Sequence, residues 1–319
     1  MDIDIFNGDA DGIIALLQLR LHQPLKSKLV TGVKRDIQLL KQVEAGKGDQ
    51  LVVLDISMAK NHQALERLLA AGASVFYVDH HQSGEIPNHP GLTAIIDTRP
   101  DVCTSLLVND YLHGKYRAWA VAAAFGDNLN ESAVKAAEPL SLDNDELEQL
   151  KQLGVCINYN GYGSTPEDLH IHPADLFKEL LPFSSPFEFI HEKADIFQQL
   201  QQAYVEDMEK AQHIEPEYET DLVAVFILPN EAWARRISGV YGNYLANKYP
   251  QRAHAVLSVN ADNGYLVSVR APLNNKSGAD ELCSQFETGG GRKAAAGINH
   301  LPAAQLSHFI QVFEQQFSR

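Results

Sequence analysis

The sequence predicts an α/β fold with two domains. The N-terminal domain is expected to have a mainly parallel sheet with helices on both faces, and the C-terminal domain to be a smaller α/β unit. Strand-like apolar runs alternate with helical runs through the first half of the chain, and the alternation restarts in the last third after a polar, helical middle. The length of 319 residues is sufficient for two domains of ordinary size.

The first domain is predicted from four pairs of elements. Strand patterns cover residues 2–6, 51–54, 74–78 and 92–96. Helical patterns cover residues 12–19, 60–71, 102–112 and 116–125. A loop rich in Asn, Gly and Tyr is expected at residues 158–163.

The second domain is predicted from a shorter set of elements. A long connecting helix is expected over residues 186–212. Strand patterns follow at residues 221–228, 253–259 and 265–269, with helical patterns at residues 233–248 and 302–317. We therefore expect a first domain over residues 1–190, a helical linker over residues 191–215, and a second domain over residues 216–319.

The charge of the chain argues against long nucleic acids as partners. It contains 41 acidic and 26 basic residues, a formal charge of −15. Proteins that track a long nucleic acid usually present a basic surface, because much of their affinity comes from neutralising phosphates. A small anionic substrate, held by a few local cations or metal ions, remains compatible with this charge.

The chain is expected to be cytoplasmic, without a membrane partner. No apolar run approaches the roughly 20 residues that cross a bilayer, and the acidic N-terminus leads directly into a strand pattern rather than a signal peptide. The three cysteines, Cys103, Cys156 and Cys283, are widely spaced and odd in number. They argue against a disulfide framework and against a thiolate zinc site.

Acidic residues follow the predicted strands of the first domain. The residues at these ends, and at the end of one helical segment, are Asp9, Asp11, Asp55, Asp79, His80, His81 and Asp127. Ligands bind beyond the carboxyl ends of strands in open α/β sheets, so these side chains are expected to converge. Carboxylates gathered this closely repel and need a cation to stay ionised. Several oxygens with one imidazole suit Mn²⁺ or Mg²⁺, and the nitrogen ligand favours Mn²⁺.

Each of these residues alone has a simpler interpretation. An acid after a strand is often the N-cap of a helix, and Asp-x-Asp-Gly is common in turns. A lone histidine is more often structural than a ligand. The joint pattern of paired acids, a single acid, an Asp-His-His run and a further acid nevertheless favours a metal site.

The same segments resemble the four motifs of the DHH phosphoesterases. The motifs are Asp9-Ala10-Asp11-Gly12, Asp55, Asp79-His80-His81 and Asp127. The last third resembles the DHH-associated domain that usually accompanies them, in residues 242–246, 267–270 and 289–297. The resemblance covers nearly the whole chain and implies an active-site cleft between the two domains.

The resemblance implies a two-metal phosphoesterase. Asp9 and Asp55 would hold the first ion. The second ion would be held by Asp11, Asp55, His80 and Asp127, with Asp55 bridging. Both ions are expected to be Mn²⁺, with Mg²⁺ and Co²⁺ as alternatives, and a hydroxide bridging them would attack phosphorus in line. Asp79 would position the histidines, and His81 would reach the substrate phosphate or the leaving group.

Two positions depart from the family pattern. Many members carry a histidine shortly before the first acidic pair, where this chain has Asn7, so the first metal position lacks an expected ligand. The glycine-rich motif usually ends in histidine, but here Gly289, Gly290 and Gly291 precede Arg292. Arginine matches the geometry of a phosphate or a guanine edge, so this change is expected to tune substrate choice.

The second domain is expected to supply substrate-binding cations. Arg292 and Lys293 follow glycines whose backbone would let a phosphate or base approach closely, and the alternative is a flexible surface turn. Arg270, at a strand end, is the next candidate, and the alternative is an exposed surface arginine. Three further cations could also face the cleft: Lys34, Arg35 and Arg99.

The leading hypothesis is a phosphodiesterase that cleaves short nucleotides to mononucleotides, for example linear dinucleotides such as pGpG or short oligoribonucleotides. The acidic charge and the small number of cations in the second domain favour it. Four alternatives stay open: a pAp-type phosphomonoesterase, a single-strand exonuclease, a polyphosphatase and a non-catalytic nucleotide sensor. Long duplex nucleic acid is not expected as a partner, and a homodimer is left open.

Overall fold

The structure is a computed structural model that describes residues 1–260 and 264–318. The chain divides into two compact units, Met1–Gln201 and Gln202–Arg319. In the part of the chain described, no helix combines the length and the apolarity that crossing a bilayer requires.

The first unit contains a five-stranded sheet in which all neighbouring strands are parallel. Its strands are β1 (Asp2–Phe6), β2 (Lys28–Val30), β3 (Gln50–Leu54), β4 (Ser74–Asp79) and β5 (Leu92–Ile96). They lie in the order β2-β1-β3-β4-β5. The predicted parallel sheet is confirmed. Strand β2 was missed, because an apolar pattern cannot indicate a strand of only three residues.

Helices cover both faces of this sheet. They are α1 (Ala10–His22), α2 (Met58–Ala70), α3 (Thr104–Tyr111), α4 (Arg117–Gly126), α5 (Asn130–Ala137), α6 (Asn144–Gly161), α7 (Pro173–Leu180) and α8 (Pro186–Glu192). Ile3 and Ile5 of β1 share a core with Leu65 of α2. Between them Asp4 accepts a hydrogen bond of 2.8 Å from Nε of Arg20 on α1. Successive strand residues point to opposite faces, so α1 and α2 lie on opposite sides, as predicted.

Two local predictions were wrong. The segment expected as a loop at residues 158–163 continues α6 as far as Gly161. Asn and Gly are poor helix formers, but tertiary contacts override this preference: the Asn160 side chain exchanges two hydrogen bonds with the backbone of Ile171, at 2.7 and 3.0 Å. The single helix expected over residues 186–212 is two helices, α8 and α9 (Ala194–Gln212), because Lys193 leaves the helical region with φ −116° and ψ 42°.

The second unit contains a six-stranded mixed sheet. Its strands are β6 (Tyr218–Glu219), β7 (Val223–Leu228), β8 (Ala253–Val259), β9 (Gly264–Arg270), β10 (Gly289–Gly291) and β11 (Ala295–Pro302). They lie in the order β10-β11-β9-β8-β7-β6, and β7 and β8 form the parallel pair. The remaining helices are α10 (Ala232–Lys248), α11 (Ala279–Cys283) and α12 (Leu306–Phe317). Val225, Leu257, Val267 and Phe309 are fully buried in its core, which confirms a smaller α/β unit.

Candidate metal centre

Three neighbouring strands of the first unit deliver acidic residues to one edge of the sheet. Asp55 follows the last residue of β3, Asp79 is the last residue of β4, and Asp9 lies shortly after β1. These strands are parallel neighbours, so their carboxyl ends meet. Asp11, in the first turn of α1, belongs to the same cluster, because its Oδ2 lies 3.8 Å from Nε2 of His80. Asp127, just after α4, belongs to it too, because its Oδ1 lies 3.6 Å from the Lys34 ammonium that also binds Asp9. The predicted convergence of the acids is therefore present.

Asp9 is both a helix N-cap and a member of the cluster. Its Oδ1 accepts the backbone N–H groups of Asp11 and Gly12, each at 3.1 Å. A Cβ atom at position 12 would lie 2.3 Å from the backbone oxygen of Asn7, so the tight turn requires glycine there. The two interpretations of Asp9 are compatible, because capping engages one oxygen and leaves Oδ2 for a cation.

Asp11 is held by the N-terminus of α3. The backbone N–H groups of Thr104 and Ser105 donate to its two carboxylate oxygens, both at 2.7 Å. Burial, together with the charges of Asp127 and Asp9, nevertheless raises the pKa of Asp11 to about 6, although the Ser105 hydrogen bond acts in the opposite direction. Among the described residues, no lysine or arginine lies within ion-pair distance of this carboxylate.

Asp55 leaves its strand in a left-handed conformation, with φ 59°. Asp and Asn tolerate this conformation better than most residues, because a short polar side chain can bond locally. Burial raises the pKa of Asp55 well above its ordinary value, and repulsion led by Asp11 adds to the effect. Two like unit charges 4 Å apart repel by about 4 kcal/mol at an effective dielectric constant of about 20. Ionisation of both carboxylates therefore calls for a cation beside them.

His80 presents a nitrogen to these carboxylates. Its Nδ1 lies 2.7 Å from the carbonyl oxygen of Val102. That oxygen only accepts, so in the neutral ring Nδ1 carries the proton and Nε2 the lone pair. Nε2 lies 3.3 Å from Asp55 Oδ1 and 3.8 Å from Asp11 Oδ2. A lone pair facing two carboxylates is the geometry of a metal ligand, and a carbonyl bonded to the other nitrogen is the usual support for one.

His81 is oriented by Asp79. Its Nδ1 lies 2.7 Å from Asp79 Oδ1, and its side chain is 29% exposed, whereas that of His80 is buried. The potential ligand atoms of Asp55, His80 and His81 all lie within 4.8 Å of one another. Since the contact with Asp79 requires a proton on Nδ1, that nitrogen is a poor metal ligand. The geometry matches the expected positioning role of Asp79 better than a third ligand role for His81.

Lys34, named from the sequence as a cation that could face the cleft, lies inside the acidic cluster. Its Nζ donates to Asp9 Oδ2 and, at 3.1 Å, to Asn158 Oδ1, and lies 3.6 Å from Asp127 Oδ1. Burial favours the neutral lysine, but the carboxylates, led by Asp9, outweigh it and raise the pKa of Lys34. Burial also favours protonated Asp9, and the Lys34 ammonium reverses this and lowers the pKa of Asp9.

The donor set fits a divalent ion at one position of the cluster. Asp11, Asp55, His80 and Asp127 offer oxygen atoms and one imidazole nitrogen, the set expected for Mn²⁺. The position expected between Asp9 and Asp55 does not fit a second ion in the same way. Both oxygens of Asp9 already accept hydrogen bonds, one of them from an ammonium group.

The sequence did not place Lys34 in the acidic cluster, because the short strand before it, β2, was not predicted. Lys34 follows β2, whose neighbour in the sheet is β1, so the rule that located the acids would also have located Lys34. Asn158 was missed because its segment was taken for a loop. The other two cations considered with Lys34 are Arg35, whose segment is half-buried, and Arg99, which is exposed and pairs with Asp97 at 2.7 Å.

The second unit places its predicted residues at one end of its sheet. Gly289–Gly291 forms the edge strand β10 rather than the flexible turn that was the alternative. A Cβ atom would collide with the backbone at Gly289 and Gly291 but would meet nothing within 4 Å at Gly290. Arg292 and Lys293 lie in the turn to β11, where Arg292 N–H donates to the Ala295 carbonyl oxygen at 2.8 Å.

Arg270 ends β9 and is bound to its own unit. Its Nε donates to Asn243 Oδ1 at 2.6 Å, and its Nη2 donates to the carbonyl oxygen of Gly239 at 3.2 Å. Both acceptors belong to α10. Arg270 is half-buried, unlike the exposed surface arginine that was the alternative, and its role in substrate binding stays a proposal.

Comparison with known proteins identifies relatives only through structure. No family model matches the sequence, and no curated protein does. A structure described as a DHH domain from a member of a family of ribosomal proteins matches with a TM-score of 0.70 and 13% identity, over 98% of this chain and 85% of that one.

Two enzymes are also similar in structure. RecJ from Thermus thermophilus, solved with Mn²⁺, matches with a TM-score of 0.66 and 18% identity over 100% of this chain, which spans 52% of the RecJ chain. PggH, a pGpG-specific phosphodiesterase from Vibrio cholerae, matches with a TM-score of 0.54 and 14% identity, over 99% of this chain and 98% of that one. At these identities the likeness establishes the fold. The chain has the fold of the DHH-domain proteins, which confirms that part of the resemblance.

Proposed function

We propose that this chain is a divalent-metal-dependent phosphoesterase that hydrolyses short nucleotides, such as linear dinucleotides or short oligoribonucleotides, to mononucleotides. The observation that carries the proposal is the buried convergence of Asp11 and Asp55 with Nε2 of His80. Buried carboxylates with raised pKa values, gathered around an imidazole nitrogen, are costly to the fold unless a cation joins them. Such costs are typical of functional sites.

The residues of the centre have separate roles in this proposal. Asp11, Asp55, His80 and Asp127 would hold the metal, with Mn²⁺ preferred. When bound, the ion would supply Lewis acidity toward a phosphoryl oxygen and lower the pKa of water. Val102 fixes the ring of His80 through Nδ1.

His81 would act on the substrate. Asp79 holds its Nδ1, so Nε2 is the nitrogen left to face the substrate: it accepts a proton in the neutral ring and, once protonated, donates to a phosphate oxygen or to the leaving group. Its partial exposure, in contrast to the buried His80, supports access to another molecule. The neighbouring carboxylate keeps the proton on Nδ1 and so fixes the tautomer.

Short substrates are favoured over long ones by charge. A formal charge of −15 opposes the approach of a long polyanion, whereas a dinucleotide needs only a few local cations. In this proposal Arg292, Arg270 and Lys293 provide them, and Gly290 provides backbone that a phosphate or base can approach. The pGpG-specific phosphodiesterase, which is similar over nearly its whole length, also supports a compact enzyme of this kind.

The proposal is tested by incubating the purified chain with pGpG, pApA, pAp and a single-stranded 24-mer, each with Mn²⁺ and after dialysis against chelator. We expect Mn²⁺-dependent release of mononucleotides from at least one dinucleotide. If none of the substrates is turned over with metal present, the chain is not the proposed enzyme, and the nucleotide-sensor alternative is favoured. Cleavage of the 24-mer as fast as of a dinucleotide would favour an exonuclease like RecJ.

A further inference from the structure

We infer that the centre binds a single divalent metal ion, and that the ammonium group of Lys34 permanently takes the place of a second cation. The inference rests on the proposed metal-dependent function and concerns how many ions that function uses. It differs from the two-ion arrangement expected from the sequence. The reason lies in what surrounds Asp9.

The lysine ammonium has the surroundings of a bound cation. Nζ donates to oxygen atoms of Asp9 and Asn158 and forms an ion pair with Asp127. The centroid of the Tyr162 ring lies 5.2 Å from Nζ. An ammonium group has three protons to donate and favours carboxylate and carbonyl oxygen atoms, as a hard metal ion does. An aromatic face adds attraction for a positive charge. The position is therefore already filled by a cation that the chain carries.

The backbone that carries Lys34 is fixed at two points. Its N–H donates to the carbonyl oxygen of Gly161 at 2.8 Å, and its carbonyl oxygen accepts Nδ2 of Asn7 at 3.1 Å. Gly161 ends α6, the helix that also carries Asn158. A Cβ atom at position 161 would lie 2.9 Å from Cα of Asp9, which shows how closely this helix end approaches the cluster. The lysine is thus delivered to the acids by local packing.

Asn7 completes the arrangement. It occupies the region where many members of the resembling family carry a metal-binding histidine. Its Nδ2 supports the Lys34 backbone, and the side chain is 4% exposed. Amide oxygen is a weaker ligand than imidazole for Mn²⁺. Asparagine in place of the histidine and the ammonium of Lys34 both favour a single metal ion, because a position filled by a lysine needs no metal-binding histidine.

A second ion would have to share Asp9 with the ammonium. One oxygen of Asp9 accepts two backbone N–H groups and the other accepts Lys34. A divalent ion placed there would repel the lysine across a few ångströms of buried protein, where charges are weakly screened. In the other half of the centre, no lysine or arginine among the described residues pairs with Asp11 or Asp55, and Lys34 approaches only the edge of that half, at 3.6 Å from Asp127 Oδ1.

The test counts metal ions without using activity. The full chain is stripped with chelator and equilibrated with Mn²⁺, bound metal is measured by mass spectrometry, and electron paramagnetic resonance detects spin coupling between paired Mn²⁺ ions. For the wild type we expect one ion per chain and an uncoupled spectrum. Two ions per chain or a spin-coupled spectrum would overturn the inference.

Substitutions test whether the charge of Lys34 excludes the second metal ion. Lys34→Met removes the charge at similar size, and we expect it to raise the count toward two. Lys34→Arg keeps a positive charge and should remain at one, and Lys26→Met, at an exposed lysine, is the matched control and should also remain at one. A count of one in a folded Lys34→Met protein, or of two in Lys34→Arg, would show that the charge of Lys34 does not exclude the second ion.

Failure of this inference can be told apart from failure of the proposed function. An active enzyme with two bound ions contradicts the inference and leaves the function intact. A protein with one bound ion that hydrolyses none of the nucleotides contradicts the function and leaves the ion count intact. If Lys34→Met does not fold, the ion count and spectrum of the wild type decide.

Discussion

The two halves of the acidic cluster differ in how their charge is compensated. On one side the chain supplies a lysine, and the pKa of Asp9 is lowered although the residue is buried. On the other side, Asp11 and Asp55 lie beside His80, His81 and hydrogen-bond donors, with no lysine or arginine among the described residues, and burial raises their pKa values. The difference teaches that the number of acids at a sheet edge does not give the number of metal ions. The cations that the chain itself supplies have to be counted first.

The largest effect is expected for the half without a lysine. His80→Ala removes the imidazole that faces Asp11 and Asp55, and we expect a loss of more than about 100-fold in Mn²⁺ affinity, since changes in supporting residues alone cost about 10–100-fold. Turnover should fall with it. Isothermal titration with Mn²⁺ and a pGpG hydrolysis assay measure the two effects. His62→Ala, at a half-buried histidine beside Glu66, is the control. Unchanged affinity would remove His80 from the ligand set.

Neutralising one carboxylate in each half of the cluster, Asp55 or Asp9, is expected to change the melting temperature in opposite directions. In metal-free protein at pH 7, Asp55→Asn should raise the melting temperature, because it removes a charge that burial and repulsion disfavour. Asparagine also tolerates the left-handed φ of 59° at this position. Asp9→Asn should lower the melting temperature, because it leaves the Lys34 ammonium without its closest carboxylate. We expect a cost of about 1–3 kcal/mol, although asparagine retains the N-cap.

The pH dependence of these two effects follows from the direction of each pKa shift. The folded-state pKa of Asp55 lies well above the ordinary value of 3.8, so its destabilising charge is absent below about that pH and grows as the pH rises. The folded-state pKa of Asp9 lies below 3.8, so its stabilising charge is present above that value and is lost at lower pH. Melting curves from pH 3 to 7 should therefore show the Asp55→Asn difference shrinking as the pH falls toward 4, while the Asp9→Asn difference persists to about pH 4 and shrinks only below it. The same sign for both variants at pH 7 would contradict the comparison.

The smallest effect is expected outside the centre. Arg292→Ala should raise KM or change the preference between pGpG and pApA by roughly 10-fold, the value of about one charged hydrogen bond, while Mn²⁺ affinity stays unchanged. Steady-state kinetics on both dinucleotides measure it, with Lys276→Ala, an exposed lysine of the same unit, as the control. Kinetics equal to those of the wild type on both substrates would make Arg292 a surface residue only.

The sequence by itself determined the parallel sheet and the identity of the acids. Apolar runs such as the one before Asp55 must be buried as strands, and strand ends in such a sheet meet at one edge, so the convergence followed from pattern alone. The resemblance to the DHH phosphoesterases added the expected roles of these residues. The match in fold to DHH-domain structures confirms the fold, and the roles of these residues stay predictions.

Only the tertiary structure decided what lies beside each acid. Lys34 follows a three-residue strand that no periodicity can indicate, and Asn158 lies in a helix whose Asn and Gly content predicts a loop. Both depend on contacts between residues far apart in the chain, at separations of 25 and 124 positions from the partners they bind. Local pattern fixes which residues reach an edge of a sheet. Packing of distant segments fixes which charges meet there, and the proposed number of metal ions depends on that packing.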